Sequence, residues 1–497
     1  MKHKTTWVAA AVASLFAGHD AQAASSTVRF ATFNASLNRD FSGDLLSDLA
    51  NPGAANFTDA IGRRIQQARN VAEIIQRVNP DVLLVNEFDF DLNGTPTASS
   101  SAMPKGYSSR AAALFQSNFL SAPQGHTVRG FTSPIRFAHR YTPNTNTGLP
   151  SGLDLDNSGS IGGGNDAYGF GSFRGQFGMT VYSKHQIVNV RTFQTFKWKD
   201  MPGSLLTNDP SGGPNNLANY YSAAARDSLR LTSKNHVDVT VRINGQEVHF
   251  LTAHPTPPVF DGSEDRNGKR NHDEIRFWKD YINGGAAASY IYDDAGNAGG
   301  LDAGDRFVIA GDYNADVCDG DSFKGACVAA NVPGAGPNAI GQLLQDPLIN
   351  VSVTPESAGG VAANVDPNNN GANAGNLAQI QDPAADTADF NDAAPGNLRV
   401  DYVLPSANLD IEGAGVFWPV DGNPADSNGT GEMFDLVGQF NKPGLYAGLP
   451  SSDHKAVWLD VAAPIPEPSE YVLMLVGLGV VGCALRRRRE EGGPRSA

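Results

Sequence analysis

The pattern of hydrophobic and polar positions predicts strands and helices that follow one another along the chain. Residues 28–34 alternate and are rich in β-branched side chains, which is typical of a strand. Residues 59–78 instead carry apolar side chains at i, i+3 and i+4 spacing and stop before Pro80, which predicts a helix. The continuous apolar run 81–88 is typical of a strand buried on both faces. Further predicted strands cover 178–183, 236–243, 247–253, 306–310, 400–404 and 456–461, and a second predicted helix covers 272–281.

Between these elements lie stretches rich in Gly, Asn, Asp, Pro and Ala. None has an apolar period long enough to form a core of its own, so we expect surface insertions within a single domain at 24–464. The insertions are predicted at 141–172, 200–222, 283–303 and 331–397.

The N-terminus carries an export signal. Two lysines precede a short apolar run, and Ala21-Gln22-Ala23 supplies the small-x-small pattern of a cleavage site. Residues 1–23 are therefore predicted to be a signal peptide, and export makes an oxidising compartment the expected environment.

The C-terminus carries a second signal. Pro466-Glu467-Pro468 precedes the apolar run 471–485, and Arg486-Arg487-Arg488-Arg489 follows at once. Arginines stay on the cytoplasmic side of a membrane, which leaves the body outside. The run is short for a hydrocarbon core of about 30 Å. The order resembles the PEP-CTERM sorting tail of Gram-negative bacteria. The resemblance implies that 465–497 anchors the protein transiently through a short transmembrane helix. It also implies cleavage by an exosortase-type protease and delivery to the cell surface or the extracellular space.

Composition limits the classes of function. With 37 basic and 52 acidic residues the formal charge is −15, which argues against a broad basic surface for nucleic acid. A hydrophobic content of 40% excludes wholesale disorder, and 3 cysteines are too few for a disulfide scaffold. Cys318 and Cys327 form the only cysteine pair in the exported body, which favours a local disulfide. Two free thiols or half of a metal site remain as alternatives.

Polar and ionisable residues recur next to predicted strands. In open α/β sheets, ligand sites form at the carboxyl ends of strands, so we expect these side chains to converge on one pocket. They are Asn34, Glu87, His254, Asp312, Asn314, Asp401, Asp453 and His454.

Their order and context resemble the endonuclease/exonuclease/phosphatase superfamily, which includes pancreatic-type deoxyribonuclease, repair exonucleases, neutral sphingomyelinases and inositol polyphosphate phosphatases. The resemblance spans 28–461 and rests on G-D-x-N at 311–314, R-x-D-Y at 399–402 and S-D-H at 452–454 in combination. It implies a four-layer α/β sandwich, in which two packed mixed β-sheets are flanked by helices.

The residue types suit phosphoester hydrolysis. Glu87 and Asn34 offer hard oxygen ligands for Mg²⁺ or Mn²⁺. His454 is the candidate general base for the attacking water, with Asp401 fixing its tautomer.

The resemblance implies further roles at the same site. Asp312 would align or deprotonate the water, and Asn314 would hold a phosphoryl oxygen. Asp453 would add a carboxylate on the metal side, and His254 would donate a hydrogen bond or proton to the phosphoryl group.

Three arginines are candidates for substrate binding. Arg174 leads into the strand that borders the active site in the family, although a solvated side chain fits equally well. Arg266 and Arg270 could clamp a phosphate, but their acidic neighbours also favour ion pairs on a helix face.

The segment that begins at Asp154 resembles the start of a calcium loop. Asp154, Asp156 and Ser158 offer oxygen ligands at positions 1, 3 and 5, and Gly159 stands at position 6. Position 12 is Asn165 rather than Glu, so a polar turn without Ca²⁺ is the alternative.

Taken together, we expect an exported phosphoesterase that depends on a divalent metal and hydrolyses phosphodiester bonds as a nuclease does, by metal-assisted attack of water with an Asp–His general base. A phosphomonoesterase, a sphingomyelinase-like phospholipase and a non-catalytic surface or biofilm-matrix protein remain as alternatives. The substrate would be nucleic acid, phospholipid or a small phosphate ester. A serine hydrolase is disfavoured because the chain has no G-x-S-x-G elbow, and no H-E-x-x-H motif indicates zinc.

Overall fold

The computed structural model describes most of the body of the chain. The described residues are 27–55, 59–90, 109–126, 130–323, 338–365, 379–390, 395–419 and 451–464. The predicted signal peptide, the tail with its helix 471–485, and Cys327 lie outside them. Among the helices in these ranges, none has the length and apolar character needed to cross a membrane.

Two mixed β-sheets form the centre of the molecule. The first has the strand order β12-β13-β1-β2-β6-β5, the second has the order β11-β10-β9-β8-β7, and β3 pairs with β4 alone. The strands are β1 (Thr27–Leu37), β2 (Val82–Phe88), β3 (Gly125–His126), β4 (Gly130–Phe131), β5 (His139–Tyr141), β6 (Met179–Ser183), β7 (Gln186–Thr192), β8 (His236–Ile243), β9 (Gln246–Ala253), β10 (Phe307–Asp312), β11 (Asp401–Pro405), β12 (Ile411–Phe417) and β13 (Ala456–Ala462).

Helices cover the outer faces of both sheets. The α-helices are α1 (Asp44–Ala50), α2 (Ala60–Val78), α3 (Arg110–Phe115), α4 (Leu217–Tyr220), α5 (Ala223–Ser228), α6 (Arg266–Asn283), α7 (Gly341–Leu344) and α8 (Ala358–Val365). Helix α2 begins where the Asp59 side chain accepts a hydrogen bond from the amide of Gly62, and it ends at Asn79 in a left-handed conformation.

Two apolar cores hold the layers together. One core lies between the sheets and beneath α2, where Phe30 of β1 meets Phe250 of β9 with ring centroids 5.6 Å apart. The other lies between the outer face of the second sheet and α6, where Phe277 and Trp278 pack against Phe193. The result is the predicted four-layer sandwich of two mixed sheets flanked by helices.

The prediction that the insertions lie at the surface is wrong for part of their length. Leu206, Ile291 and Ile340, one from each of three insertions, are fully buried in the core beneath α6. Tyr141 is likewise buried in the core between the sheets. Scattered apolar side chains therefore join a core that other elements provide, so a segment without its own apolar period still packs inside.

A polar network behind the second sheet makes stability depend on pH. The ring Nδ1 of His249 lies 2.8 Å from the carboxylate of Asp238, which also accepts a hydrogen bond from Tyr281. Burial alone would lower the pKa of His249, but Asp238 and Asp305 raise it above its usual value. The protonated form is therefore favoured in the folded state.

We expect His249→Gln to destabilise the protein most at low pH. Because the folded-state pKa is raised, the stabilisation is complete below the unfolded value of about 6.5 and declines as pH rises through the folded-state value. The thermal unfolding midpoints of the wild type and of His249→Gln would be measured from about pH 5 to about pH 9, and we expect the difference between them to narrow as pH rises. A difference that stays constant over this range would contradict the raised pKa of His249.

Candidate active site

Strand polarity brings the predicted residues to one edge of the sandwich. In the first sheet β1 and β2 run parallel, and in the second β9 and β10 run parallel, so their carboxyl ends meet there. Strands β8, β11 and β13 run antiparallel to them and begin at the same edge. Five of the predicted residues lie near the carboxyl ends of strands: Asn34, Glu87, His254, Asp312 and Asn314. The other three lie at or just before the amino ends of strands: Asp401, Asp453 and His454.

The backbone is strained at this edge. Ser36, Glu87 and Asn314 have φ of 47°, 55° and 51°, a left-handed conformation that costs energy for residues other than glycine. The pairing of β1 with β2 also shifts register between Asn34 and Leu37. Such strain persists where surrounding contacts fix a side chain in one direction, and here it aims Glu87 and Asn314 into the same cleft.

One wall of the site carries a buried histidine–aspartate pair. The Nδ1 of His454 lies 2.8 Å from Oδ2 of Asp401. Thr387 donates a hydrogen bond of 3.0 Å to the same oxygen, and its own hydroxyl accepts one from the Asp401 amide. Burial raises the pKa of Asp401, although His454 opposes this. Burial would lower the pKa of His454, but Asp401 and Asp312 raise it well above its usual value. The two carboxylates therefore favour the protonated form of His454.

Asp312 lies at the centre of the site. Asn34 donates a hydrogen bond of 3.0 Å to its Oδ2, while Nε2 of His254 and Nε2 of His454 lie 3.3 and 3.7 Å from that oxygen. Burial would raise the pKa of Asp312, but the two histidines hold it well below its usual value. Burial, with Lys234 nearby, lowers the pKa of His254 to about 4, so His254 is neutral near pH 7 while Asp312 is ionised.

A second acidic group lies on the other side of Asn34. Burial and the charge of Asp453 raise the pKa of Glu87 to about 7, while a hydrogen bond from Asn34 opposes the rise. Ser36 donates a long hydrogen bond of 3.4 Å to Asp453. The two carboxylates of Glu87 and Asp453, which repel each other, offer hard oxygen donors at the cleft, while Asn34 directs its NH2 group toward Asp312 and Glu87 and its oxygen toward the amide of Ser36. These residues fit a divalent cation such as Mg²⁺, which would relieve the repulsion.

The Asp312–Asp401–His454 group also places ligand atoms within 4.8 Å of one another. Its Asp401, however, is only 1% exposed, and the oxygen facing His454 also accepts the Thr387 hydroxyl. Both ring nitrogens of His454 already face carboxylates. This group is better suited to moving a proton than to holding an ion.

Both groups open into a cleft of about 1490 Å³. Its walls are mixed in character: Phe170 and Phe260 are 61% and 85% exposed, and Arg266 and Arg270 also line it. Arg174 is not among the lining residues. The cleft is large enough for a substrate with a substantial apolar or aromatic part.

The two predicted clamp arginines are already engaged. Arg266 forms an ion pair with Glu264 and donates to the carbonyl of Phe260. Arg270 donates hydrogen bonds of 2.8 and 2.6 Å to the carbonyls of Leu231 and Tyr168. These contacts favour a structural role for both arginines. Arg266 forms an ion pair, as the alternative expected, whereas Arg270 binds backbone carbonyls instead.

Two residues that the sequence analysis did not select belong to the site. Thr387 lies within the predicted insertion 331–397 but positions Asp401. Lys234 lines the cleft, and burial lowers its pKa although Glu274, Glu87 and Asp312 oppose this. A signal for Lys234 existed, because it stands two residues before β8, which runs antiparallel to β9, the strand that ends just before His254.

The structure brings a third carboxylate to the candidate calcium loop. Asp154 and Asp156 are joined by Asp166, with carboxylate oxygens within 4.8 Å of one another. The backbone amide of Ser158 donates to Asp154 and Asp156. These contacts are also those of a polar turn, so Ca²⁺ binding stays a prediction.

Cys318 is disulfide-bonded and 7% exposed. Because Cys327 lies outside the described residues, its pairing with Cys318 stays a prediction.

The chain is similar to several solved structures at low identity. An endonuclease/exonuclease/phosphatase from Beutenbergia cavernae DSM 12333 is 15% identical with a TM-score of 0.40, over 88% of this chain and 72% of that chain. A family protein from Leptotrichia buccalis C-1013-b is 13% identical with a TM-score of 0.38, over 87% and 99%. Sphingomyelinase C from Streptomyces griseocarneus is 14% identical with a TM-score of 0.35, over 88% and 99%.

Family models give a more direct relationship. No curated protein matches the chain. The PEP-CTERM protein-sorting motif matches residues 464–489, which indicates an exported protein with a transiently anchored tail. The model of the Endonuclease/Exonuclease/phosphatase family matches residues 31–454, from the first strand to the candidate general base. Since that match covers most of the sequence, the chain belongs to the Endonuclease/Exonuclease/phosphatase family.

Proposed function

We propose that the protein is an exported phosphodiesterase that depends on a divalent metal. The observation that carries this proposal is the division of the cleft into two groups. The His454–Asp401 pair faces Asp312 on one side, and Glu87 lies near Asp453 on the other. Separate proton-transfer and cation-binding groups at one cleft are what hydrolysis of a phosphoester by water requires.

In this mechanism the neutral form of His454 accepts the proton of the attacking water at Nε2. Asp401 holds the ring through Nδ1 and stabilises the imidazolium that forms. Ionised Asp312, 3.7 Å from Nε2, orients the water. The fold therefore already holds the water-orienting carboxylate, the base and its partner Asp401 next to one another.

Neutral His254 and the Asn314 amide bind phosphoryl oxygens. Asn314 is fixed by its backbone hydrogen bond of 2.9 Å to Asp312 and by a side-chain bond of 3.2 Å to the carbonyl of Pro255. Glu87, Asp453 and Asn34 would hold Mg²⁺ or Mn²⁺, and the bound cation would neutralise phosphate charge and stabilise the leaving oxygen.

A phospholipase is the second candidate within this class. The exposed rings of Phe170 and Phe260 at the cleft favour a substrate with an apolar part. The net charge of −15 also disfavours long polyanions. We propose that the protein acts at the cell surface or outside the cell, after exosortase-type processing of its tail.

Chelation tests metal dependence directly. We expect EDTA to silence hydrolysis and Mg²⁺ or Mn²⁺ to restore it, because the carboxylates of the cleft bind the cation reversibly. The purified protein would be assayed with and without metals on DNA, RNA, an aryl monoester, an aryl diester, phytate and sphingomyelin. Activity that persists in EDTA would contradict metal dependence, and no turnover of any substrate would favour the non-catalytic matrix protein.

A further inference from the structure

The proposed mechanism leaves open which side chain neutralises the phosphoryl oxygens opposite the cation site. Of the arginines that line the cleft, Arg266 and Arg270 are held by contacts within the protein. Arg39 is paired with Asp48 at 2.7 Å, and Arg64 with the same carboxylate at 2.9 Å. These four cations therefore have their charge or donors already satisfied. The fifth arginine that lines the cleft, Arg63 of α2, is only partly buried, so water can satisfy its donors.

Lys234 differs from them. It is 6% exposed, yet its ammonium group makes one hydrogen bond with the described residues, a long one of 3.5 Å to the carbonyl of Pro255. An ammonium group has three donors, and a buried one is costly to leave unsatisfied. The carboxylates that act on it include Glu87 and Asp312, one from each half of the active site.

The position of Lys234 is fixed by α6. Glu274 is fully buried, and its two carboxylate oxygens accept hydrogen bonds from the amides of Ser233 at 2.6 Å and Thr256 at 2.7 Å. Ser233 also donates to the carbonyl of His254 at 3.3 Å. One buried carboxylate thus joins the segment that carries Lys234 to the segment that carries His254.

We propose that Lys234 binds a phosphoryl oxygen of the substrate beside His254, and that Glu274 positions both residues. This inference rests on the proposed function, since it assigns a second phosphate-binding residue to that site. An ammonium group recognises phosphate as a point charge and stabilises the additional negative charge of the transition state. It also explains how an acidic protein holds an anionic group next to its own carboxylates.

Binding of inorganic phosphate tests the inference without turnover. Calorimetric titrations in Mg²⁺ would compare the wild type with Lys234→Met, Lys234→Arg and, as a matched surface control, Lys184→Met. Lys184 pairs with Asp81 at 3.0 Å and does not line the cleft. We expect Lys234→Met to weaken phosphate binding by about 10- to 100-fold, as for loss of a hydrogen bond to a charged group. Lys234→Arg should retain most of the affinity, and Lys184→Met all of it.

The same variants would be assayed for kcat/KM on an aryl phosphodiester. We expect wild-type values for Lys184→Met, a small loss for Lys234→Arg and the largest loss for Lys234→Met. If Lys234→Met does not give the far-UV spectrum of the wild type, Lys234→Gln replaces it. Wild-type affinity for phosphate in a folded variant without the charge, or no phosphate binding by the wild type, would overturn the inference. A wild type that binds phosphate through Lys234 but cleaves no substrate would instead refute the proposed function alone.

Discussion

Replacing His454 by alanine is expected to abolish metal-dependent hydrolysis while leaving the fold intact. The side chain contributes its ring to the proton-transfer group and an edge contact with Phe390, but the surrounding strands pair through their backbones. Loss of a general base lowers kcat by about 10²- to 10⁴-fold. The measurement is kcat on an aryl phosphodiester at saturating Mg²⁺, with a thermal unfolding midpoint to report on the fold.

Two further variants separate chemistry from structure. Asp401→Asn keeps the hydrogen bond from Thr387 possible but removes the charge that supports the imidazolium. We expect it to lower kcat with little change in KM. His185→Ala removes a histidine that does not line the cleft and should leave kcat unchanged. Full activity in His454→Ala would refute the proposed base.

Glu87→Gln is expected to lose hydrolysis through loss of the cation. The carboxylate is the central member of the proposed metal-binding set, and removing it should cost roughly 10²- to 10³-fold in kcat/KM, or about 3 to 4 kcal/mol of transition-state stabilisation. The concentration of Mg²⁺ needed for half-maximal activity should rise as well. Glu412→Gln, which alters an exposed carboxylate on β12, is the matched control.

Glu87→Gln is also expected to change the stability of the metal-free protein in a way that depends on pH. Burial and Asp453 raise the folded-state pKa of Glu87 to about 7, against an ordinary value of 4.5. Ionisation is therefore unfavourable in the folded protein, and this penalty grows as pH rises from the unfolded value to the folded one. In EDTA above pH 7 the glutamine variant should unfold at a higher temperature than the wild type, and near pH 4 the two should be alike. A lower midpoint above pH 7 would contradict the assigned environment of Glu87.

Local sequence predicted the central elements because their burial is periodic. The predicted strand 236–243 coincides with β8, and the predicted helix 59–78 coincides with α2 and its Asp59 cap. Helix α6 is longer than the predicted 272–281, because its buried face includes Lys269 and Glu274. Charged residues of this kind look exposed in a hydropathy pattern, and only their partners make their burial possible.

The strands that the sequence analysis missed lie at sheet edges. Within the described part of the chain, β7 pairs only with β8 and β12 only with β13, so each has a neighbouring strand on one side. Strand β12 also contains two glycines, which have no side chain to produce an alternating pattern. The surrounding sheet, rather than local preference, stabilises these segments.

Local sequence patterns were sufficient to predict the sorting tail, the alternation of strands and helices, and the order of the polar residues beside the strands, while the N-terminal export signal stays a prediction. These features are local, because each depends on a few neighbouring side chains and their spacing. Which charged side chains remain available to a substrate depends on long-range contacts. In the folded protein Arg266 and Arg270 are held by contacts within the protein, Thr387 contacts Asp401, and Lys234 is buried near carboxylates of both sheets. The role of a charged group depends on its burial and its partners, and here those partners are distant in the chain.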